Sequence, residues 1–351
     1  MIVVIIAGGS GTRLWPLSTH DKPKHLLSLT TESSLLQNSY QRAKLVTDTV
    51  YVVPEASHAE QVAQQLPELS SDHIIVEPAR RGTASCIMLA LAHISQSHSA
   101  DEPVIFMHAD YQITDNQLFA DTVNAAAAAC VREQAISLIG LKPTYPATGF
   151  GYIQTGAQLE NAGGKELFKV VSFKEKPNLA TARDYLKSGT YLWNLGLFAA
   201  PLAVFEREAK DYNSELYDNY RSLCAALAGR RDISGTYLEM KNQPIETALI
   251  ELSANTVVVP GEFDWLDIGS FFDLHKVLSE VDGNSLKGNA TLVECVDTMV
   301  HGGDKPIIAI GLEGVVVVDT PDGLLVCAKD KSQLVGDVVK QLGLHKAQKP
   351  S

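Results

Sequence analysis

The chain has 351 residues, and 29 lysines and arginines against 41 aspartates and glutamates give a net charge of −12. An acidic chain without a lysine- or arginine-rich stripe lacks the positive surface that phosphate backbones require, so we expect no nucleic-acid partner. Hydrophobic residues make up 45% and charged residues 20% of the chain, which is an ordinary globular composition. The length favours two domains.

The sequence contains no sign of a membrane or secretory segment. No apolar run approaches the ~18 residues that would span a bilayer, and the apolar start, residues 1–6, is too short for a signal peptide. The five cysteines are scattered and form no C-x-x-C pair, so we expect reduced thiols. We therefore expect a cytoplasmic protein without membrane contact.

The first 140 residues alternate between short apolar runs and helical patterns. We predict strands from Ile2 and at 50–53, 73–76, 104–107 and 136–140, and helices at 34–45, 56–66, 83–96 and 116–133. Thr83 and either Asp115 or Asn116 are candidate helix caps. This order is typical of a doubly wound sheet, in which ligands bind beyond the carboxyl ends of the strands.

The remaining chain is less regular and ends in short β-rich pieces. We predict strands at 151–155, 167–173, 191–198 and 256–260, and helices at 179–187, 201–210, 215–228, 245–252 and from 270. Further strands follow at 289–293, 306–310, 314–320 and 323–327, before a helix at 331–342. The predicted domains are therefore 1–281, with an inner division near residue 140, and a small β-rich domain at 282–351.

The loop after the first strand has the composition of a phosphate-binding loop. Residues 7–18 read AGGSGTRLWPLS, and three glycines after a buried strand let backbone N–H groups approach an anion. Arg13 and Lys24 add positive charge. The spacing matches neither the dinucleotide fingerprint nor a Walker A loop. Taken alone, the loop fits a glycine-rich turn with a surface arginine equally well.

Two aspartates are candidate metal ligands. Asp110 directly follows the strand predicted at 104–107, and Asp267 lies among aromatic and apolar residues. Mg²⁺ needs only one or two carboxylates when substrate phosphates and waters complete its shell. Each aspartate alone is more typical of a turn or a helix cap, so the prediction depends on the pair.

These motifs together resemble the sugar nucleotidyltransferases, and within them the mannose-1-phosphate guanylyltransferases. The resemblance covers nearly the whole chain. It rests on Gly8-Gly9-Ser10-Gly11-Thr12-Arg13-Leu14-Trp15-Pro16-Leu17-Ser18 with Pro23-Lys24, Glu77-Pro78 with Arg81-Gly82-Thr83-Ala84, Ala109-Asp110, Thr148-Gly149-Phe150-Gly151-Tyr152-Ile153, Phe173-Lys174-Glu175-Lys176-Pro177, Trp193-Asn194-Leu195-Gly196-Leu197-Phe198, Pro244-Ile245-Glu246 and Trp265 to Gly269. It implies an α/β fold, a Rossmann-like doubly wound mixed sheet with a small carboxyl-terminal β-helix-like domain. It also implies that the nucleotide half of the catalytic domain is about 1–140 and the sugar half about 141–281.

The resemblance also implies a reaction. A mannose 1-phosphate oxygen would attack the α-phosphate of GTP with the help of Mg²⁺, giving GDP-mannose and pyrophosphate without a covalent enzyme intermediate. It further implies a homodimer, and a single-activity form without the phosphomannose isomerase domain of longer relatives. By matching positions it assigns nucleotide binding to Ala7, Gly8, Gly9, Gly11, Thr12, Arg13, Glu77, Arg81, Gly82 and Ala109, sugar-phosphate binding to Gly151, Tyr152, Glu175, Lys176, Asn194, Gly196 and Glu246, catalysis to Arg13 and Lys24, and the metal to Asp110 and Asp267.

Several positions depart from the family pattern, among them His25-Leu26-Leu27 after Pro23-Lys24, where glutamine followed by Phe-Leu is usual. Gly82 replaces a usual asparagine, His108 precedes Ala109-Asp110 where proline is usual, and Glu246 stands where aspartate is more frequent. These departures leave open another sugar phosphate or another nucleoside triphosphate. A noncatalytic regulatory homologue that binds a GDP-sugar is a further alternative, although retention of the charged residues of the loop and of both aspartates argues against it.

Overall fold

The computed structural model describes residues 1–9, 11–280 and 283–344. Ser10, the boundary predicted between residues 281 and 282, and the residues after 344 lie outside this part of the chain. No helix within it is long and apolar enough to cross a membrane. All five cysteines are free thiols.

The regular elements of the described residues are as follows. The strands are β1 (Ile2–Ala7), β2 (Val50–Pro54), β3 (Pro103–His108), β4 (Tyr111–Gln112), β5 (Ile136–Leu141), β6 (Gly151–Ala162), β7 (Lys165–Lys174), β8 (Tyr191–Pro201), β9 (Thr256–Gly261), β10 (Leu266–Asp267), β11 (Ser285–Lys287), β12 (Ala290–Val293), β13 (Met299–His301), β14 (Ile307–Ile310), β15 (Val315–Thr320) and β16 (Gly323–Ala328). The α-helices are α1 (Leu35–Lys44), α2 (Ala59–Gln65), α3 (Gly82–Ile94), α4 (Asn116–Glu133), α5 (Leu179–Ser188), α6 (Leu202–Tyr212), α7 (Ser214–Ala228), α8 (Ser234–Glu239), α9 (Phe271–Leu278) and α10 (Val335–Gln341).

The chain forms two compact units. Unit 1 contains Met1–Gly8, Ser39–Ala109 and Ile113–Asp264. Unit 2 contains Gly9–Asn38, Asp110–Gln112 and the described residues from Trp265 onward. From Gly9 onward, the glycine-rich loop belongs to the same unit as the carboxyl-terminal strands, and the domain boundary at 281/282 stays a prediction.

Unit 1 is built on one mixed sheet with the strand order β2-β1-β3-β8-β5-β9-β7-β6. The six residues of β1 are all buried, as expected for a strand covered on both faces. β1 pairs parallel with β2 and β3, whereas β8 is antiparallel to both β3 and β5. The predicted mixed sheet is confirmed.

Three local predictions for unit 1 need correction. Residues 73–76 form no strand; a 3-10 turn, Ser71–His73, ends there, and single bridges replace a ladder. Thr83 does not cap α3, which begins one residue earlier, and its hydroxyl instead accepts a hydrogen bond from the Ile245 N–H at 2.9 Å. The helix predicted at 245–252 is a π-helix, Glu246–Ile250. The Asp115 cap is confirmed, since its carboxylate accepts the Leu118 N–H at 2.9 Å.

Unit 2 contains short ladders around a second core. β4 pairs with β10, the strands β11-β13-β15-β16 form one sheet, and β12 pairs with β14. The sequence did not reveal β4, β10, β11 or β13, which have only two or three residues each. Leu14 of the glycine-rich loop lies in the same core cluster as Phe271 of α9 and Val316 of β15. The carboxyl-terminal strands therefore complete the core on which the loop rests.

We expect Gly323→Ala to destabilise unit 2. Gly323 has φ +154°, and a Cβ atom there would lie 2.5 Å from the ring of Trp15, so an added methyl group would overpack the contact. The expected cost is about 1–3 kcal/mol, measured as a lower urea midpoint. Gly303→Ala is the control, because nothing lies within 4 Å of its Cβ position. An equal midpoint for both variants would contradict this packing.

Candidate functional site

The glycine-rich loop of unit 2 turns on Gly9 and Gly11. Gly9 has φ +116° and Gly11 φ +55°, conformations that side chains rarely adopt. A Cβ atom on Gly11 would lie 2.5 Å from Ser18 Oγ and 2.7 Å from Lys24 Cβ. Gly11 leads into a 3-10 turn, Thr12–Leu14. Glycine at position 11 is thus required for Lys24 to lie against the loop.

Lys24 lies between two carboxylates. Its Nζ donates to Asp110 Oδ2 and to Asp267 Oδ1, each at 2.8 Å. Lys24 is only 6% exposed, while the two carboxylate side chains are 27% and 31% exposed. The ammonium is therefore enclosed, and both carboxylates remain open on one side.

The β4–β10 ladder brings the two aspartates together. Asp267 pairs with Tyr111, the neighbour of Asp110, and Tyr111 packs edge-on against Trp265 with ring centroids 5.4 Å apart. Two strands of two residues each thus join positions 110 and 267. The structure thus brings the two aspartates to one lysine, and their role as metal ligands stays a prediction.

The charges of this cluster oppose one another. Burial lowers the pKa of Lys24, but the carboxylates of Asp110 and Asp267 outweigh it, so the pKa of Lys24 is raised and the ammonium stays charged. Nearby, burial raises the pKa of the Asp273 carboxyl, and the charge of Asp267 adds to that rise. Ser270 caps α9, because its hydroxyl accepts the Asp273 N–H at 3.5 Å, and it also donates to Asp273 Oδ2 at 2.8 Å.

The same two carboxylates fit a divalent cation. One oxygen of each carboxylate accepts a hydrogen bond from Lys24, and each carboxylate retains solvent access. Nowhere in residues 1–9, 11–280 and 283–344 do three or more histidine, cysteine, aspartate or glutamate side chains gather as metal ligands. A two-carboxylate set suits Mg²⁺, which takes the rest of its shell from water and substrate phosphates.

The predicted sugar-phosphate residues gather in unit 1 around Gly151. A Cβ atom on Gly151 would lie 2.6 Å from Glu175 Oε2 and 3.2 Å from Asn194 Cβ, so an added methyl group would displace the Glu175 carboxylate. Glu175 Oε2 and Asn194 Oδ1 are buried and have no hydrogen-bond partner among the described residues. Buried polar atoms without partners are costly, so both oxygens have acceptor capacity that a ligand or an ordered water can satisfy. Lys176 Nζ lies 2.8 Å from Glu175 Oε1.

Gly196 and Glu246 are two further residues of the predicted sugar-phosphate set. Gly196 has φ +64° and lies in a bulge of β8 opposite β5, beside Asn194. The pKa of the Glu246 carboxyl is raised, because burial has the largest effect on it. His108 and Lys176 act in the opposite direction without reversing the rise. His108 and Glu246, two of the departures from the family pattern, thus influence each other electrostatically.

Tyr152 lies in the core of unit 1. It is fully buried, and its hydroxyl donates to the Ala147 carbonyl at 2.9 Å. Its side chain is therefore unavailable to a sugar phosphate, and the prediction for Tyr152 is limited to its main chain.

The predicted nucleotide residues of unit 1 lie in two places. Ala7 and Ala109 end or follow adjacent strands, and Gly8 is open, with nothing within 4 Å of its Cβ position. Glu77 is buried and accepts the Tyr237 hydroxyl at 2.6 Å and the Arg81 N–H at 3.4 Å. The Glu77 carboxylate therefore braces α8 and the start of α3, a contact that gave no sequence signal because Tyr237 is remote in the chain.

The structure explains the glycine at position 82. Gly82 has φ +78°, and a Cβ atom would lie 2.3 Å from the Gln243 carbonyl oxygen. The segment before Glu246 is tied to α3, since Gln243 O accepts the Ala84 N–H at 3.2 Å and Lys241 O accepts the Ser85 hydroxyl at 3.3 Å. The backbone of Gln243 thus fills the place that a side chain at position 82 would need.

Comparison with known protein families agrees with this arrangement. The model "Nucleotidyl transferase" matches residues 2–283, and the model "MannoseP isomerase/GMP-like beta-helix domain" matches residues 288–342. The chain belongs to the nucleotidyl transferase family. The predicted family resemblance is confirmed, and the second match agrees with the predicted β-helix-like region.

Individual relatives of this nucleotidyl transferase cover most of the chain. Xanthan biosynthesis protein XanB of Xanthomonas campestris pv. campestris is 36% identical over 97% of this chain and 73% of its own length. Mannose-1-phosphate guanylyltransferase RfbM of Salmonella typhimurium is 34% identical over 97% of this chain and 72% of its own length. A crystal structure described as mannose-1-phosphate geranyltransferase from Thermus thermophilus superposes with a TM-score of 0.88 at 27% identity, covering 97% of this chain and 99% of that one.

We expect Glu77→Gln to remove a pH dependence of stability. Burial raises the pKa of Glu77 in the folded protein above its ordinary value. Stability from this group is therefore present at low pH and is lost as pH rises through the folded pKa. The amide keeps the Oε1 acceptor for Tyr237 but does not titrate.

The measurement is the difference between urea midpoints at pH 5 and pH 8. Relative to the parent, Glu77→Gln should gain stability at pH 8, whereas the exposed control Glu68→Gln should follow the parent. A Glu77→Gln variant with the parental difference would show that this carboxyl is not perturbed.

Proposed function

We propose that this nucleotidyl transferase makes GDP-mannose and pyrophosphate from GTP and α-D-mannose 1-phosphate. The observation that carries the proposal is the Lys24 ammonium held 2.8 Å from both Asp110 and Asp267, a charge cluster beside a glycine-rich loop. The choice of substrates is supported by relatives named mannose-1-phosphate guanylyltransferase that align with 97% of the chain.

The reaction is a single displacement at phosphorus. A phosphate oxygen of the sugar 1-phosphate forms a bond to the α-phosphorus of GTP, and the bond from that phosphorus to the bridging oxygen of the β-phosphate breaks. The nucleophile is already anionic, so no general base is required. Catalysis therefore rests on alignment and on stabilising negative charge.

The charged residues of unit 2 supply that stabilisation. Lys24 is fixed and charged, and its ammonium suits charge that builds on the α-phosphate. Arg13 is exposed and carries five N–H donors, which suits the departing pyrophosphate. Backbone N–H groups around Gly9 and Gly11 would face the same anions.

Asp110 and Asp267 would hold Mg²⁺. When bound, the ion would neutralise the phosphates and strengthen the pull on the leaving group. The carboxylates do no covalent chemistry. They would provide oxygen ligands for the ion.

In unit 1, Glu175 and Asn194 would bind the sugar. Their unpartnered oxygens accept hydrogen bonds, which sugar hydroxyl groups donate. Lys176 would pair with the 1-phosphate, to which its ammonium brings an opposite charge. Since Glu175 lies beside it, the pair is oriented before the ligand arrives.

Release of pyrophosphate tests the proposal. The protein is assayed with Mg²⁺ and each of GTP, ATP, UTP and dTTP, paired in turn with mannose 1-phosphate, glucose 1-phosphate and other hexose 1-phosphates. We expect release mainly with GTP and mannose 1-phosphate. Faster pyrophosphate release with another pair would show that the proposed substrates are wrong. No release with any pair would favour a regulatory homologue.

We expect Lys24→Ala to reduce turnover by about 10²-fold or more, the scale for loss of one fixed charge stabiliser. The measurement is kcat at saturating substrates, with circular dichroism to verify the fold. Lys22→Ala, which removes an exposed lysine two residues away, should retain parental kcat. An unchanged kcat for Lys24→Ala would remove this residue from the chemistry.

We expect Asp267→Asn to weaken the Mg²⁺ dependence, because an amide oxygen carries no net charge to hold the ion. The initial rate is measured against Mg²⁺ concentration. Asp304→Asn, an exposed site, is the control. A parental titration curve for Asp267→Asn would show that Asp267 only precedes a helix.

A further inference from the structure

The side chain of Arg13 is contacted by the carboxyl-terminal segment of unit 2. Arg13 Nη1 donates to Gln333 Oε1 at 3.1 Å, across 320 residues of chain. Gln333 lies in a 3-10 helix, Lys329–Leu334, that leads directly into α10. One of the five N–H donors of the guanidinium is thus committed, and the others remain for an anion.

α10 approaches the loop at Gly336. A Cβ atom on Gly336 would lie 2.8 Å from Arg13 Cγ and 3.4 Å from Thr12 Oγ1. Gly336 is buried and has ordinary helical φ, so its glycine is explained by close approach and not by backbone conformation. The stem of Arg13 therefore lies directly on the backbone of α10.

The segment that carries Asp267 also passes close to the Arg13 guanidinium. A Cβ atom on Gly269 would lie 3.4 Å from Arg13 Nη1 and Nη2, and at the same distance from Asp273 Oδ2. The guanidinium is thus bordered by Gly269 and Gln333, and its stem by Gly336. These contacts fix the direction of an exposed side chain.

The support for Gln333 is itself anchored. Its neighbour Ser332 is fully buried and accepts the Phe272 N–H of α9 at 3.2 Å. The side chains of Val335 and Val339, in the following turns of α10, are buried. Gln333 is therefore presented from a fixed element and not from a loose tail.

We propose that Gln333 and Gly336 are positioning residues for Arg13, and that the carboxyl-terminal domain is part of the nucleoside triphosphate site. The inference rests on the proposed function, in which Arg13 binds triphosphate oxygens. Holding Arg13 in place before the nucleotide arrives removes the cost of ordering a long side chain on binding. The sugar 1-phosphate, which Arg13 does not bind, gains nothing from it.

The first test compares Gln333→Met with Gln341→Met. Methionine keeps the length of glutamine but removes the acceptor, and Gln341 is an exposed glutamine at the end of α10. For Gln333→Met we expect a KM for GTP about 2- to 10-fold above the parent, the scale of one newly mobile side chain, with an unchanged KM for mannose 1-phosphate. Gln341→Met should match the parent for both substrates.

The second test uses Gly336→Ala with Gly303→Ala as its control. The added methyl group at 336 displaces the stem of Arg13, whereas nothing lies within 4 Å of the Cβ position of Gly303. We expect the same selective rise in the KM for GTP. A merely structural role would lower the thermal midpoint and change both KM values together.

A double-mutant cycle with Arg13→Ala decides whether Gln333 acts through Arg13. In the Arg13→Ala background, Gln333→Met should have no further effect on the KM for GTP. An undiminished effect there, or parental values for Gln333→Met in the active enzyme, would overturn the inference while leaving the proposed function intact. A parental protein that turns over no substrate pair would instead overturn the proposed function, and this inference with it.

Discussion

Two carboxylates held close together both stay ionised most readily when a cation lies between them, because like charges at short distance oppose ionisation. Asp110 and Asp267 satisfy this constraint through Lys24, at 2.8 Å from each. Two local features of unit 2 hold these three charged residues together. The β4–β10 ladder joins the two acidic positions, and Gly11 leaves room for Lys24 beside the loop.

The glycine-rich loop also needs a hydrophobic support. A glycine-rich segment has few side chains of its own to bury, so its conformation depends on what packs beneath it. Leu14 is the residue that anchors it, in a core shared with α9 and β15. Trp15 extends the support by packing against the backbone at Gly323. The carboxyl-terminal strands therefore have a structural task at the loop.

Much of this could be predicted from the sequence, for identifiable reasons. Long apolar runs such as β1 and periodic helices such as α4 carry strong local signals, and the loop composition indicates phosphate chemistry directly. The features that the sequence did not predict depend on contacts between distant parts of the chain. The insertion of β8 between β3 and β5 depends on pairing over about 90 residues of chain, and no periodicity encodes it. Strands of two residues, such as β4, have no pattern to detect.

The site shows the same division. Asp110 was a candidate because it follows a strand, Asp267 because aromatic and apolar residues flank it, and Lys24 because it adds positive charge near the loop; the fold brings the three together. Gln333 and Tyr237 were missed, since a glutamine on a polar helix and a tyrosine in a short helix look ordinary until the fold brings Arg13 and Glu77 to them. Thr83 was misassigned because its hydroxyl satisfies a distant N–H in place of its own helix.

A crystal structure with Mn²⁺ and a non-hydrolysable GTP analogue tests the central claim most directly, since anomalous scattering locates the ion without ambiguity. The account predicts one ion bound by carboxylate oxygens of both Asp110 and Asp267, with the triphosphate against the loop at Gly9 and Gly11. An ion bound without either aspartate, or a triphosphate bound away from that loop, would contradict it.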